Sequence, residues 1–321
     1  MLHLKAKKII TFVLACTMVV FSAVGMAVLP VGTVSAADAS GTTASISDIL
    51  KNQLPDGGWR KDYKQTSGEW AKSTIDNKAT YSEIRRLAKE FKKTNDPRYS
   101  TAAIKGINFL INMQYSNGGW PQVYQSSGYH KHITYNDDAM INVMIMLDEV
   151  ATRKGDFSFI DSTLANRSKN SVAKGVEAIL NTQVVSGGKL TAWGQQHDSS
   201  SLKPASARIY EVPSLTAGES VTIVKFLKTR PANSKITASI KGAEAWFNKV
   251  KITGYKYERA NGDSKIIADS KAAPIWARFY EIGTDKPIFI GRDGVVKYKL
   301  SDIDKERRGG YAWYGNWPSK L

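Results

Sequence analysis

Cysteine is almost absent from this chain. The single one, Cys16, lies in an N-terminal stretch that reads as removable, so no disulfide framework, thiolate zinc site or cysteine nucleophile is open to the folded protein. Histidine is nearly as scarce, at four residues, with His130, His132 and His197 beyond that stretch. No His-Glu-x-x-His pair exists, and His130-x-His132 on a tyrosine-rich loop reads as surface rather than as a zinc site. There is no Gly-x-Ser-x-Gly elbow, P-loop, dinucleotide fingerprint or EF-hand loop. Negative charge is also in short supply. Forty-five Lys and Arg face 29 Asp and Glu, for a formal charge of +16.

Residues 1–36 have the pattern of a signal peptide. Lys5, Lys7 and Lys8 precede an apolar run from Ile9 to Val28, and Val34-Ser35-Ala36 is a small-residue cleavage site. A membrane anchor is the competing reading of that run, but the cleavage site and the polar residues after it favour processing. Residues 37–47 read as a flexible entry segment and 48–321 as one catalytic domain. About 285 residues remain after processing, enough for a sizeable core. An exported protein this basic suits an acidic polysaccharide better than nucleic acid.

Three segments align without gaps: Lys105-Gly-Ile to Gln114, Lys174-Gly-Val to Gln183 and Lys241-Gly-Ala to Val250. Apolar stripes such as Ile84, Leu87, Phe91 and Ile104, Ile107, Ile111 lie between and within them at helical spacing, and Asn95-Asp96-Pro97 separates two helices. Periodicity of this length implies a repeated supersecondary unit. The predicted fold is mainly α: three helical hairpins and an N-terminal fragment in an incomplete (α/α)3 toroid, with short strands in loops and near the C-terminus. After each repeat comes Gly-Gly-Trp or a looser version of it (Gly57-Gly58-Trp59, Gly118-Gly119-Trp120, Gly187-Gly188 with Trp193). There the indole is expected to cap the helix end. The loops that follow should gather at one end of the ring, with Asp62, Asp76, Asp137, Asp138, His197, Asp198 and Arg208.

Asp76-Asn77 and Asn136-Asp137-Asp138 occupy matching places in two of those loops, each just before a helix. Helix capping would account for one carboxylate in each, but a doubled aspartate costs repulsion. Converging loops of this kind could supply oxygen ligands to Ca²⁺. Asp76 with Asp138 could equally serve a glycosidase, and a non-catalytic binder of acidic polysaccharide is a third possibility. Neither alternative explains a second repeat, Pro204-Ala-Ser-Ala-Arg208-Ile-Tyr-Glu211 and Pro274-Ile-Trp-Ala-Arg278-Phe-Tyr-Glu281, whose arginines are expected at equivalent places in successive hairpins.

Taken together, Asn117-Gly-Gly-Trp-Pro-Gln122, Ile133 to Asn142, Trp193 to Asp198, Ala207 to Glu211, Trp276 to Ile282, Gly291-Arg-Asp-Gly294 and Glu306 to Pro318 resemble the polysaccharide lyase family 10 pectate lyases. The resemblance runs from about Ile49 to the C-terminus. It implies secreted, calcium-dependent β-elimination of polygalacturonate, giving 4,5-unsaturated oligogalacturonates, with internal cutting of the chain. It implies a monomer, with no nucleic acid partner and no membrane after processing. By matching motifs it puts Arg208 at the catalytic base and Asp76 with Asp138 (or Asp137) at the calcium. It puts Arg278, Arg292 and Asn77 on the substrate, and Lys78 is an unexpected cation beside the metal positions. A neutral guanidine is hard to reach, because arginine titrates above about 12. Ca²⁺, Arg278 and Arg292 are expected to ease it by like-charge repulsion, with an alkaline rate optimum as the consequence.

Overall fold

The computed structural model describes residues 43–321; the signal-peptide segment and residues 37–42 lie outside the described residues. Helix α1 (Ile46–Lys51) opens the fold, with the Ser45 hydroxyl accepting from the Asp48 amide as its N-cap. Three antiparallel helix pairs follow. They are α2 (Tyr81–Thr94) with α3 (Pro97–Met113), α4 (Ala139–Ala151) with α5 (Ser162–Thr182), and α6 (Ala217–Lys228) with α7 (Ser234–Lys249). α2, α4 and α6 pack side by side as one layer, and α3, α5 and α7 as the layer outside it. A short helix, α8 (Lys305–Gly310), lies near the C-terminus. The expected mainly α toroid is the observed fold. Among the described residues no helix is long and apolar enough to cross a membrane.

Local chemistry sets the boundaries. Asn95 closes α2 in the left-handed conformation, Asp96 caps α3 by accepting from the Arg98 amide, and Pro97 takes the first helical position, where no N–H is needed. Asp161 and Asn233 cap α5 and α7 in the same way. α4 buries residues on nearly every side (Met140, Ile141, Val143, Met144, Met146, Leu147, Val150), as a helix flanked by α2 and α6 and covered by α5 must.

Tryptophans, three of them following a Gly-Gly turn and the fourth in the second octad, tie each helix end to the next element. The buried indoles of Trp59, Trp120, Trp193 and Trp276 donate to the carbonyls of Ile49, Leu110, Ile179 and Phe247, each in the last turn of α1, α3, α5 or α7. Last-turn carbonyls lack a next turn to bond them, so the tryptophan satisfies a polar group and fills the core together, and that of Ile179 accepts from the Thr182 hydroxyl as well. The Lys-Gly of the following outer helix is the matching surface. A Cβ on Gly175 would stand 3.0 Å from the Trp120 ring, and one on Gly118 would stand 2.0 Å from the Lys174 carbonyl oxygen. The two sequence repeats therefore recur together because they are two sides of one contact.

Strands are short and paired in twos; the longest hairpin joins Tyr255–Ala260 to Asp263–Ala268. Two-residue pairings such as Ile133–Thr134 with Gln196–His197 pin neighbouring post-tryptophan loops to one another.

Candidate active site

Those loops return to the core by one repeated bond. The amides of Thr74, Thr134 and Thr216 donate to the carbonyls of Trp59, Trp120 and Trp193. Two residues beyond the first two threonines stand Asp76 and Asn136, so Asn77 is the counterpart of Asp137 and Lys78 of Asp138. The backbone agrees. Asn77 and Lys78 have φ of 46° and 72°, and Asp137 and Asp138 have 52° and 59°. Left-handed non-glycine residues in series cost energy, and here they turn the side chains of two loops toward one space. Helix capping does not account for them, since Asp138, at the N-cap of α4, makes no side-chain cap bond.

That space is a cavity of about 280 Å³ bordered by Asp76, Asn77, Asn136, Asp137, Arg208 and Arg278. Lys61, Trp70, Gln122, Tyr129, Arg259 and Tyr311 complete much of its wall. The fold thus brings together five of the seven expected site residues. Asp138 faces a neighbouring cavity instead, which shares Asp137 and Arg278 and continues past Glu219 to Trp317. Arg292 lies outside both linings, about half exposed and paired with Glu306 at 2.8 Å, and its guanidinium lies over the Tyr210 ring that Arg208 also contacts.

Burial pushes the Asp137 carboxyl up despite Arg278, and burial with the Glu219 charge pushes Asp138 up to about 7. Asp76 is buried, accepts from the Gln122 amide at 2.9 Å, and pairs with the Lys61 ammonium at 3.0 Å. Lys61, not Lys78, is therefore the cation beside Asp76; Lys78 is exposed. The donors are all oxygens, and the Gln122 Oε1 is buried without a hydrogen-bond partner. This set fits a hard divalent cation such as Ca²⁺. Among the described residues no three acidic, histidine or cysteine side chains assemble into a metal site by themselves, so amide, water or substrate oxygens would complete the shell. His130 is buried against Trp70 with both ring nitrogens unpartnered, which corrects the surface reading.

The arginines are not equivalent, contrary to the expectation from their shared octad. Arg278 links two strand pairings, its amide donating to Trp313 and its carbonyl accepting from Ala217. Its side chain is buried and pairs with buried Glu219 at 2.7 Å. Burial works against its charge, but Glu219 and the acidic loops outweigh it and keep Arg278 cationic. Arg208 sits in a tight turn, where the Ala207 amide donates to the Glu211 carbonyl and the Glu211 amide to the Arg208 carbonyl. Its Nε and Nη2 bond both oxygens of Glu211, at 2.9 and 2.5 Å. The same glutamate in the second copy, Glu281, instead accepts from Tyr298 and Thr284 on the exterior.

This pairing works against the expected easing of proton loss from Arg208. The Glu211 carboxylate, through its hydrogen bonds, holds the guanidinium's pKa above the ordinary arginine range despite partial burial. Sequence reasoning missed Glu211 as a partner because the octad drew attention to the repeat rather than to its i,i+3 charge pair. Glu219 carried a signal of its own. Thr216-Ala-Gly-Glu219 is a capping-box spelling, and in the structure the Thr216 hydroxyl does bond the Glu219 carboxylate, which also reaches Gln195 and Arg278.

Comparison with known proteins places this arrangement. The family model described as pectic acid lyase matches residues 48–321. No curated protein matches the chain. The family 10 polysaccharide lyase of Cellvibrio cellulosa is similar at 34% identity over 87% of this chain and 90% of that one, with a TM-score of 0.80. A mutant of that enzyme, with one aspartate changed to alanine and trigalacturonic acid bound, is similar at 34% over 87% and 91%, with a TM-score of 0.79. A shared fold at that identity, over nearly the whole described chain, leaves one assignment: the protein belongs to the pectic acid lyase family, among the family 10 polysaccharide lyases.

Proposed function

We propose that the chain is an exported, calcium-dependent pectate lyase that cuts polygalacturonate internally by β-elimination. The observation that carries this reading is the meeting of Asp76, Asn77 and Asp137 with Arg208 and Arg278 around one cavity, from loops far apart in sequence. A mutated relative bound to trigalacturonic acid supports galacturonate as the substrate. Export is supported by the basic start, apolar run and cleavage site of residues 1–36. Internal cutting is supported by the adjoining cavity, which lets sugars lie on both sides of Asp137 and Arg278.

The chemistry follows from the side chains. A neutral guanidine at Arg208 takes the proton on C5, beside the uronate carboxylate. The C5 electron pair forms the C4=C5 double bond as the C4–O4 bond breaks, and the leaving oxygen takes its proton from water. Arg278, held cationic by Glu219, binds the uronate carboxylate and stabilises the charge that builds on it, and Arg292 does so from the rim. Asp76 and the Asp137–Asp138 doublet are the residues that would hold Ca²⁺, with Asn77 beside them on the substrate. When bound, the ion supplies electrostatic stabilisation of that same charge. Lys61 must leave Asp76 for this to happen.

Polygalacturonate with Ca²⁺ should give rising ultraviolet absorbance from the conjugated alkene, and chelation should stop it. Saturated reducing ends without that absorbance would refute elimination. Arg208→Ala should lose at least about 10²-fold in turnover, the usual worth of a positioned base, while still binding trigalacturonate.

A further inference from the structure

Arg307 is a buried charge that the proposed mechanism leaves unused. It comes from α8 and is 6% exposed. Its Nε donates to the Ile290 carbonyl at 3.4 Å, and its buried Nη2 has no hydrogen-bond partner among the described residues. Burying a guanidinium without a carboxylate is costly, and such a group persists only where something compensates. Here three aromatic faces do. The guanidinium carbon lies 4.3 Å from the Tyr311 ring centroid, 4.8 Å from Tyr210 and 5.1 Å from Trp313.

Two of those rings carry the other arginines of the site. Arg208 and Arg292 lie 5.1 and 4.7 Å from the Tyr210 centroid, and Arg278 lies 4.7 Å from Tyr311. Arg307 is thus the shared contact between the ring bearing the base and the rim arginine and the ring bearing the buried arginine. Burial, helped by the Arg292 charge, pushes its pKa below the ordinary arginine range, although Tyr311, Glu211 and Tyr210 oppose the shift.

We propose that Arg307 is a positioning residue. Wedged between Tyr210 and Tyr311, it sets the spacing of Arg208 and Arg292 against Arg278, and with it the distance at which uronate carboxylates can be held beside the base. This rests on the galacturonate reading of the cavity. Its role is indirect, since Arg307 does not line the cavity.

The test uses Arg307→Met, which keeps an unbranched apolar stem and removes the charge, and Arg307→Lys, which keeps the charge and removes the plane. Each is tested for cooperative unfolding, for calorimetric binding of trigalacturonate, and for kcat and KM on polygalacturonate. Both are expected to weaken binding by about tenfold, the scale of one desolvated cation–π contact. In a double-mutant cycle with Arg292→Ala, the combined loss should be smaller than the product of the single losses, because losing Arg307 has already released Arg292. Parental binding in both variants, or losses that simply multiply, would overturn the proposal, since a residue that merely supports the core would not couple to Arg292. If Arg307→Met does not unfold cooperatively, Arg307→Lys decides by the same two readouts. If the parent binds trigalacturonate but forms no alkene, elimination fails while the binding cycle still judges Arg307. A parent that binds no galacturonate overturns the positioning claim as well.

Discussion

Replacing Glu211 by Gln isolates the charge that holds a proton on Arg208. In the parent, both Glu211 oxygens face the guanidinium, and the carboxylate is nearly buried while Arg208 is about half exposed. The carboxylate favours the cation, so the Arg208 pKa is raised, and removing the carboxylate must lower it. A close opposite charge moves a pKa by about 1–3 units, and solvent screening at this half-exposed arginine argues for the lower end, about one unit. Far below the arginine pKa the neutral fraction grows tenfold per pH unit. E211Q should therefore run about tenfold faster than the parent at each pH on that rising limb, or equivalently match it about one pH unit lower. Glutamine keeps one oxygen for the Arg208 Nε and backbone amide, so the side chain retains part of its alignment. The assay is initial alkene absorbance with saturating Ca²⁺ and substrate from neutral to strongly alkaline pH. A profile for E211Q that overlays the parent, or falls below it by a constant factor, would refute the argument that proton loss from Arg208 limits turnover.

His197 should make the fold acid-sensitive. It is fully buried, with Nε2 accepting from the Gly194 amide and Nδ1 donating to the Leu202 carbonyl, and burial pushes its pKa down to about 4. The unfolded state binds this proton near pH 6.5 and the folded state resists it. The contribution is thus complete above pH 6.5 and lost as pH falls toward 4, about 2 kcal/mol by pH 5. Asp138, pushed up to about 7, acts with the opposite sign over part of that window. The measurement is therefore the stability difference between parent and His197→Gln in urea, which should shift by about 2 kcal/mol between pH 7.5 and 5; an unchanged difference would sink it. Gly118→Ala should destabilise by about 2–5 kcal/mol, combining a left-handed alanine with overpacking against the Lys174 carbonyl. Gly187→Ala also has positive φ but meets nothing within 4 Å, so it should cost clearly less in thermal unfolding. Equal costs would mean that the contact between the glycine turn and α5 is not tight.

The sequence by itself determined the helices, their pairing and the joints between pairs. Those features rest on short-range chemistry: apolar spacing along one helix, Asn95-Asp96-Pro97 at one boundary, and a Gly-Gly-Trp turn within reach of the helix it caps. It also named five residues that meet at the cavity, because equivalent loops of a repeated unit must emerge at the same end. Tertiary structure decided what each of those residues does. Lys61 on Asp76, Glu219 on Arg278 and Arg307 on Tyr210 are contacts between segments separated in the chain, and no local pattern specifies them. The octad shared by Arg208 and Arg278 makes the reason plain. Matching spelling gives an exposed turn in one copy and a buried strand link in the other, because the Arg278 backbone bonds Trp313 and Ala217 whereas Arg208 and Ala207 bond only Glu211 within their own turn. Backbone partners are supplied by the rest of the fold, and they, rather than the motif, set where each arginine stands, while Glu211 and Glu219 hold both as cations.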